Sequence, residues 1–535
     1  VFEFLMAAGA VMILILAVNV SGILLVRAVA RGQEMAVRLA VGATPLRLAR
    51  QWIAESLLLA VLGAIGGLIF AVIAMPLSLR LLPPVRDLST QLLSLSIDTR
   101  LNYRMFFFLF ALTTGVAFIM SASPAVVAVR SRIDRVLRTS RASTSFRGRQ
   151  LLVGVQIALC TFLLAAAALL ARSFERLSST PSGLADSSVA TFRCELRSSS
   201  HADQTVQAVM QRVREIPGVL SVAASHTGVM QQHGMSANVA PTGQRLRNDD
   251  IMLTNGNSVS QAYFKTMGIR ILAGRDFLPS DATQPKQTAH KRAIVNEAFV
   301  RHFFPGSDGL GKQFGFARLG GIAGAEWEIV GVVSDSKYRS LREPTRPMVY
   351  SLLTDYNDFT LNVRSEAPPE GILHTVTQAV GSVAPNLTIL ELTTLAREVN
   401  ETTAPDRTMA TLALTFGGGA VLLAGIGVYG LLAYAVLQRR KEIGIRIALG
   451  ALPAQVAGLV SVQILVITMF GIGAGLGATL LIGPALRALL YGIPAGDPLS
   501  LALAAALVLL IAASATVWPA WEASRTDPAQ MLRAE

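Results

Sequence analysis

Seven apolar runs, each long enough to cross a bilayer, leave this chain few folds to choose from. They are Phe4–Val26, Leu57–Leu79, Met105–Val129, Leu151–Ala171, Met409–Leu437, Val456–Leu486 and Leu499–Trp518. About 20 apolar residues span the hydrocarbon core as a helix, and in lipid only helices and closed barrels satisfy their own backbone groups. The expected fold class is therefore a multi-span α-helical membrane protein with seven spans. Of the 535 residues, 52% are apolar and 15% are charged, which leaves room for one large soluble part. That part is 172–406, the stretch with no run able to span.

The spans are not independent. Glu34, Arg38, Gly42 and Pro45 reappear as Glu442, Arg446, Gly450 and Pro453, all 408 residues later. Each copy follows one apolar run and precedes another. Further along, Pro124, Arg130, Leu137 and Arg138 reappear as Pro519, Arg525, Leu532 and Arg533 at an offset of 395. The two offsets place a shortening of 13 residues in the second copy, most simply in the loop between its last two spans. The repeat is three spans with a charged segment between the first two. Domain bounds follow: 1–139 is the first three-span unit, and 140–171 is a basic linker with the fourth span. Residues 172–406 form the extracytoplasmic domain, and 407–535 the second unit. The second copy is preceded by a further span and the soluble domain, the first by neither, so the chain is expected to begin partway through a longer duplicated protein.

Each charged copy reads as a short amphipathic helix. Glu precedes Arg by four residues, the favourable order for a helical pair. Met35 and Leu39, like Ile443 and Ile447, form an apolar stripe beside it. The following Gly can end the helix, and the Pro three residues on suits the first turn of the next. One exposed ion pair is worth only about 0–1 kcal/mol. Two copies in the same place between spans make an interaction surface the better reading.

The net charge of +13 sits largely beside the spans. Arg130, Arg132, Arg135, Arg138, Arg141, Arg147 and Arg149 face only Asp134 in one segment. Counting spans puts this segment, both charged repeats and the tail on one side, which the positive-inside rule makes cytoplasmic. The large domain then faces outwards. No basic patch is interleaved with aromatics, so nucleic acid is not an expected partner. In the outer domain, Val189–Leu196, Val219–Ala224, Trp327–Val333 and Phe359–Val363 read as strands. Asp203–Ile216 and Pro369–Val383 read as helices, and Ala293–Asn296 leads into a helix through His302. The expectation is an α/β or α+β domain. Gly471, Gly473, Gly475 and Gly477 in the sixth span are expected to be packing positions, as are the glycines of the fifth.

The run Arg440–Ala451, the tail Pro519–Arg533 and the outer stretch Val295–Phe299 followed by Phe304-Pro305-Gly306 together resemble the FtsX-like permease family. This is the membrane part of MacB-type ABC transporters with a periplasmic core domain. The duplicated arrangement resembles the duplicated orphan permeases of Acidobacteria, truncated at the N-terminus. The resemblance implies that a separate cytoplasmic ABC ATPase contacts Glu34, Arg38 and Gly42, and Glu442, Arg446 and Gly450. It further implies that ATPase closure moves the outer domain, and that a periplasmic adaptor and an outer-membrane conduit can take part. The bacterial inner membrane is the implied location. The alternative is a transmembrane signalling or regulatory protein that controls an outer-face partner without transporting anything.

No chemistry of the chain's own is expected. Gly306–Gln313 fits G-x4-G-K, but Gln313 stands where a Mg²⁺-holding Ser or Thr is needed. The six His show no metal spacing, and His226 and His233 with Cys194 make an unconvincing ligand set. Cys160 lies in a span and Cys194 beyond it, so no disulfide is expected. No cofactor, metal or catalytic residue is assigned.

Overall fold

The structure is a computed structural model. It describes residues 2–30, scattered positions between 41 and 69, and 142–524 apart from 197–201, 232–234, 252, 282–289, 318–320 and 439–452. Within them the chain divides into two compact units.

The first unit holds the membrane helices. Helix α1 is Phe2–Ala30, and α2 is Ala142–Ser178. Four of the seven expected spans lie in helices long and apolar enough to cross a membrane: Gln150–Ser178, Ala404–Gly430, Val462–Leu486 and Pro498–Ala515. The first expected span falls in α1, where Met6–Val20 is a shorter apolar helix. Of Leu57–Leu79, positions 58, 61–63, 65, 66 and 69 are helical. The remainder of that span and Met105–Val129 lie outside the described residues. α1, α2 and the later helices share one core that includes Ile15, Ile157, Cys160, Ala420, Ile464 and Val508.

The second unit is the outer domain, built on one mixed sheet of twelve strands. In chain order these are β1 (Val189–Leu196), β2 (Val219–Ser225), β3 (Met235–Ala237), β4 (Val239–Pro241), β5 (Thr254–Val259) and β6 (Ile271–Gly274). There follow β7 (Lys291–Asn296), β8 (Gln313–Phe316), β9 (Trp327–Val333), β10 (Met348–Leu352), β11 (Asp358–Ser365) and β12 (Leu387–Thr394). The main path runs β12-β1-β11-β2-β5-β10-β7-β9-β8-β4. Two pairings, β5 with β10 and β7 with β9, are parallel. Helix α3 (Ala202–Arg214) packs Val206, Val209, Met210 and Val213 on the β1–β11–β2 end. Helix α4 is Tyr263–Met267, and α5 (Glu297–Phe303) follows β7 directly. Asn296 caps α5 by accepting from the Phe299 N–H, as a short polar residue at that position does. Phe299 is fully buried, with ring centroids 4.7 Å from Phe303 and 5.1 Å from Phe314. Helix α6 (Leu373–Val383) leads to β12, then α7 (Leu395–Thr402), α8 (Ala404–Gln438), α9 (Pro453–Leu486) and α10 (Pro498–Ser524).

The clear strands and helices of the outer domain stand where periodicity puts them. Strands β5 and β12 were not legible: Thr-Asn-Gly-Asn-Ser-Val has no apolar alternation, and Leu387–Thr394 leaves Leu390 and Leu392 exposed on a sheet edge. The Gly306–Gln313 stretch is a turn with positive φ at Gly306, Gly309 and Gly311. It runs into strand β8, whereas a phosphate loop opens a helix.

Candidate functional site

The six residues that sequence places at an ATPase contact, Glu34, Arg38, Gly42, Glu442, Arg446 and Gly450, lie outside the described residues. On their N-terminal side the described residues are helical in both copies, in α1 (Phe2–Ala30) and α8 (Ala404–Gln438). On the C-terminal side of the second copy the described chain is helical from Pro453 to Leu486, in α9.

At the outer end of the membrane unit, α2 and α10 are tied together. Asp497 precedes Pro498, the first residue of α10, and accepts from the Ser500 N–H at 2.9 Å and the Ser500 hydroxyl at 2.7 Å. Arg172 of α2 closes an ion pair on the same carboxylate. The Ser500 hydrogen bonds first, then Arg172, hold the Asp497 carboxyl below the usual range. One residue along α2, the Ser173 hydroxyl accepts from the Tyr491 N–H at 2.8 Å. Deeper in the unit, α9 lies so close to α2 that a Cβ on Gly475 would stand 2.4 Å from the Ala158 carbonyl oxygen, and one on Gly471 would stand 2.7 Å from Ile157. Gly473 and Gly477 meet nothing within 4 Å. The glycine reading therefore holds for alternate positions of the run, the face turned to α2.

In the outer domain, the first strand lies beside the last. β1 pairs with β12 antiparallel, and Ala190 stands opposite Thr394. The chain thus enters and leaves this domain at one end of its sheet. Thr394 caps α7 by accepting from the Arg397 N–H. Arg397 pairs with Glu401 at 3.2 Å along the helix. Between these, Glu398 turns inwards and is 6% exposed. Its Oε1 accepts from the Thr191 hydroxyl of β1 at 3.3 Å and more weakly from Gln231 at 3.5 Å. Oε2 has no hydrogen-bond partner among the described residues. Burial pushes the carboxyl up to about 8, while Gln231 and Thr191 pull it down and Glu391 and Glu401 add to the rise. A single residue, Thr403, separates α7 from α8, so α7 leads almost directly into the fifth span. Sequence reasoning missed Glu398, because Glu on a short helix reads as solvated; only the strand pairing shows that it is inside.

Two family models match this chain. The FtsX-like permease C-terminal model matches residues 6–133 and again 414–528. The two matches begin 408 residues apart and end 395 apart, the same offsets that the charged and proline-containing repeats give. The MacB-like periplasmic core domain model matches residues 151–386. The chain belongs to the FtsX-like permeases.

Relatives of this FtsX-like permease include the ABC transporter permease YknZ of Bacillus subtilis, 24% identical over 292 residues, covering 52% of this chain and 70% of that one. The macrolide export ATP-binding/permease protein MacB of Mannheimia succiniciproducens is 24% identical over 248 residues, 44% of this chain and 36% of that one. MacB 1 of Aeromonas hydrophila is 24% identical over 331 residues, 58% and 48% respectively. The chain thus spans less than half the length of these two export proteins. Among solved structures, the periplasmic region of MacB from Actinobacillus actinomycetemcomitans aligns with a TM-score of 0.27 and 13% identity, covering 42% of this chain and 95% of that one. The extracellular domain of YknZ aligns with a TM-score of 0.23 and 15% identity, covering 38% and 100%.

Of the three residues His226, His233 and Cys194, only His226 and Cys194 are described. Cys194 is buried as a free thiol in the sheet core, and His233 lies outside the described residues. No metal-holding group occurs among the described residues.

Proposed function

We propose that this chain is the permease subunit of an ABC-type transport or efflux system of the bacterial inner membrane, with 172–406 in the periplasm. A separate cytoplasmic ATPase engages Glu34–Gly42 and Glu442–Gly450 and moves the helices that carry the outer domain. A periplasmic adaptor and an outer-membrane conduit are the further partners of this reading. The observation that carries it is the recurrence of one charged segment, Glu34–Gly42 and Glu442–Gly450, at the same 408-residue offset at which the two permease matches begin. The connections to the outer domain fit a mechanical role: α2 runs unbroken for 37 residues, about 55 Å, and α7 is separated from α8 by Thr403 alone. ATP hydrolysis belongs to the partner.

The test is purification of the protein from its own membranes, with and without Glu442→Lys and Arg446→Glu. Co-purification of an ABC ATPase with the parent chain and its loss from the variants supports the proposal. Failure to capture any ATPase, even after cross-linking, overturns it and leaves a sensor or scaffold as the better account.

A further inference from the structure

The carboxyl of Glu398 is served on one oxygen only. Oε1 accepts from the Thr191 hydroxyl and from the Gln231 amide, while Oε2 has no hydrogen-bond partner among the described residues. A buried carboxylate calls for donors on both oxygens, because both share the charge. A carboxylic acid calls for donors on one oxygen and an acceptor for the other. The pattern at Glu398 is that of the acid.

The sheet supplies the acceptor. Thr191 of β1 and Gln231, from the loop that leaves β2, reach the carboxyl from two sides. In the sheet order β1-β11-β2, the strand between is β11. Thr191 stands directly opposite Asn362 of β11, and side chains so opposed share a face with Cβ atoms about 4.5–5.5 Å apart. Asn362 is fully buried. Both hydrogens of its amide nitrogen are spent, on the Ser225 hydroxyl at 3.1 Å and the Thr360 carbonyl at 3.2 Å. A carbonyl can only accept, so the amide cannot be turned the other way round. Its Oδ1 receives nothing among the described residues. Two buried acceptors on one face of one sheet thus lack a hydrogen, and one proton would serve both.

The charges around the site favour the neutral acid. Burial, with Glu391 of β12 and Glu401 of α7 adding to it, pushes the Glu398 carboxyl up to about 8 against the pull of Gln231 and Thr191. Helix α4 brings the Tyr263 phenol, itself pushed well up by burial. The turn Asp186–Ser188, on which α7 packs, brings Asp186, which accepts from the Ser182 hydroxyl and the Ser187 N–H. The nearby cations are engaged elsewhere: Arg397 with Glu401, and Arg193 with Asp358.

We infer that Glu398 is a carboxylic acid whose Oε2–H donates to Asn362 Oδ1, and that this proton clasps α7, the last helix of the outer domain before α8, to the sheet. Loss of the proton to water leaves a buried carboxylate oxygen against an amide oxygen with nothing between them, and α7 is held less well. The clasp is closed in acid. It loosens as pH rises from the ordinary carboxylate range, where a released Glu398 ionises, towards 8, where the docked one ionises too. Within that window each pH unit weakens docking by up to about tenfold. The clasp does not rest on the permease proposal and is tested without any ATPase.

The experiment uses the full chain in detergent and two readouts. One is the infrared stretch of the protonated Glu398 carboxyl, assigned by its loss in Glu398→Gln. The other is the amide hydrogen-exchange protection of 395–402, corrected for the pH dependence of exchange itself. In the parent chain the band is expected in acid and to fade towards pH 8, and protection of 395–402 is expected to fall over the same range. In Glu398→Gln, whose amide nitrogen donates to Asn362 in place of the acid, protection is expected to stay high and level. Protection of 327–333 in β9 is expected to stay level in both. Asn362→Leu removes the acceptor and is expected to move the midpoint of the band down; Thr191→Val removes a donor that favours the ionised form and is expected to move it up. A general loosening of the domain does not give opposite shifts. A Glu398 already ionised in the folded parent at about pH 6, or level protection of 395–402 up to about pH 9, overturns the inference on the parent chain alone, whether or not the variants fold. Midpoints that move the same way in both variants, or not at all, overturn the place given to Asn362.

Discussion

The outer domain and the membrane unit are held together by opposite means. The outer domain is filled with large rings: Phe192, Tyr263, Phe264, Phe299, Phe314 and Phe359 are all among its fully buried side chains. Among the described residues of the membrane unit no ring is fully buried, and the helices meet by close approach at Gly471 and Gly475 and by side chains that seek helix carbonyls. The difference follows from solvent. Water drives rings into a core at about 25 cal/mol per Å², whereas lipid gives helices no such push, and backbone proximity and hydrogen bonds must serve instead. A ring-filled sheet has one packing. Glycine-faced helices joined by a few polar contacts have shallower alternatives.

The largest expected effect breaks the comparison on the outer side. Phe299→Ala removes a ring from the centre of the aromatic cluster and is expected to cost about 3–5 kcal/mol. Denaturant unfolding followed by the fluorescence of Trp327, which stacks near Phe314 at 6.5 Å, reads this in the intact chain.

Next comes the buried acid. Glu398 has its folded pKa raised to about 8, above its ordinary value, so its burial costs nothing in acid. The cost grows as pH rises from the ordinary carboxylate range towards 8, because only the unfolded chain then gains by ionising. The outer domain is expected to lose a few kcal/mol of stability between pH 5 and pH 8.5 through this group. Glu398→Gln, which keeps an acceptor for Thr191, is expected to flatten that slope. An equal slope in parent and variant would show that Glu398 is not titrating where its burial places it.

On the membrane side, Gly475→Leu forces a side chain into the Ala158 carbonyl and is expected to destabilise by about 1–3 kcal/mol. Gly473→Leu, two residues away with open space, is expected to be neutral. Thermal aggregation in detergent separates the two. The smallest effect sharpens the comparison at the outer end: Asp497→Ala removes the cap of α10 at a cost of about 1 kcal/mol. It also frees Arg172, which is read as faster hydrogen exchange over the first turn of α10.

Much of this was legible in the sequence because the signals were long. Apolar runs of about twenty residues declare themselves, and Glu442, Arg446 and Pro453 repeat Glu34, Arg38 and Pro45 without any structure to help. Strands such as Trp327–Val333 were equally plain, since β-branched residues fill both faces of a covered strand. What was hidden depended on pairing across long separations. Nothing local in Thr254–Val259 marks a central strand, and nothing near Glu398 tells that Thr191, 207 residues away, would cover it. Asn19 lies inside the apolar run Phe4–Val26 with nothing local to mark it; only the approach of α8 turns it into a contact. All four glycines of the run in α9 were expected at packing positions, and spacing alone does not tell Gly471 and Gly475, which meet α2, from Gly473 and Gly477, which meet nothing within 4 Å.

The central claim is that force applied at the cytoplasmic segments reaches the outer domain through α2, α7 and α8. The most direct test places spin labels at Ala208 on α3 and at Arg487 beyond the end of α9, both exposed, and compares distance distributions with the partner ATPase empty and bound to a non-hydrolysable ATP analogue. The account predicts a nucleotide-dependent shift in the parent chain that disappears with Glu442→Lys. Identical distributions in both nucleotide states, with the ATPase bound throughout, would contradict it.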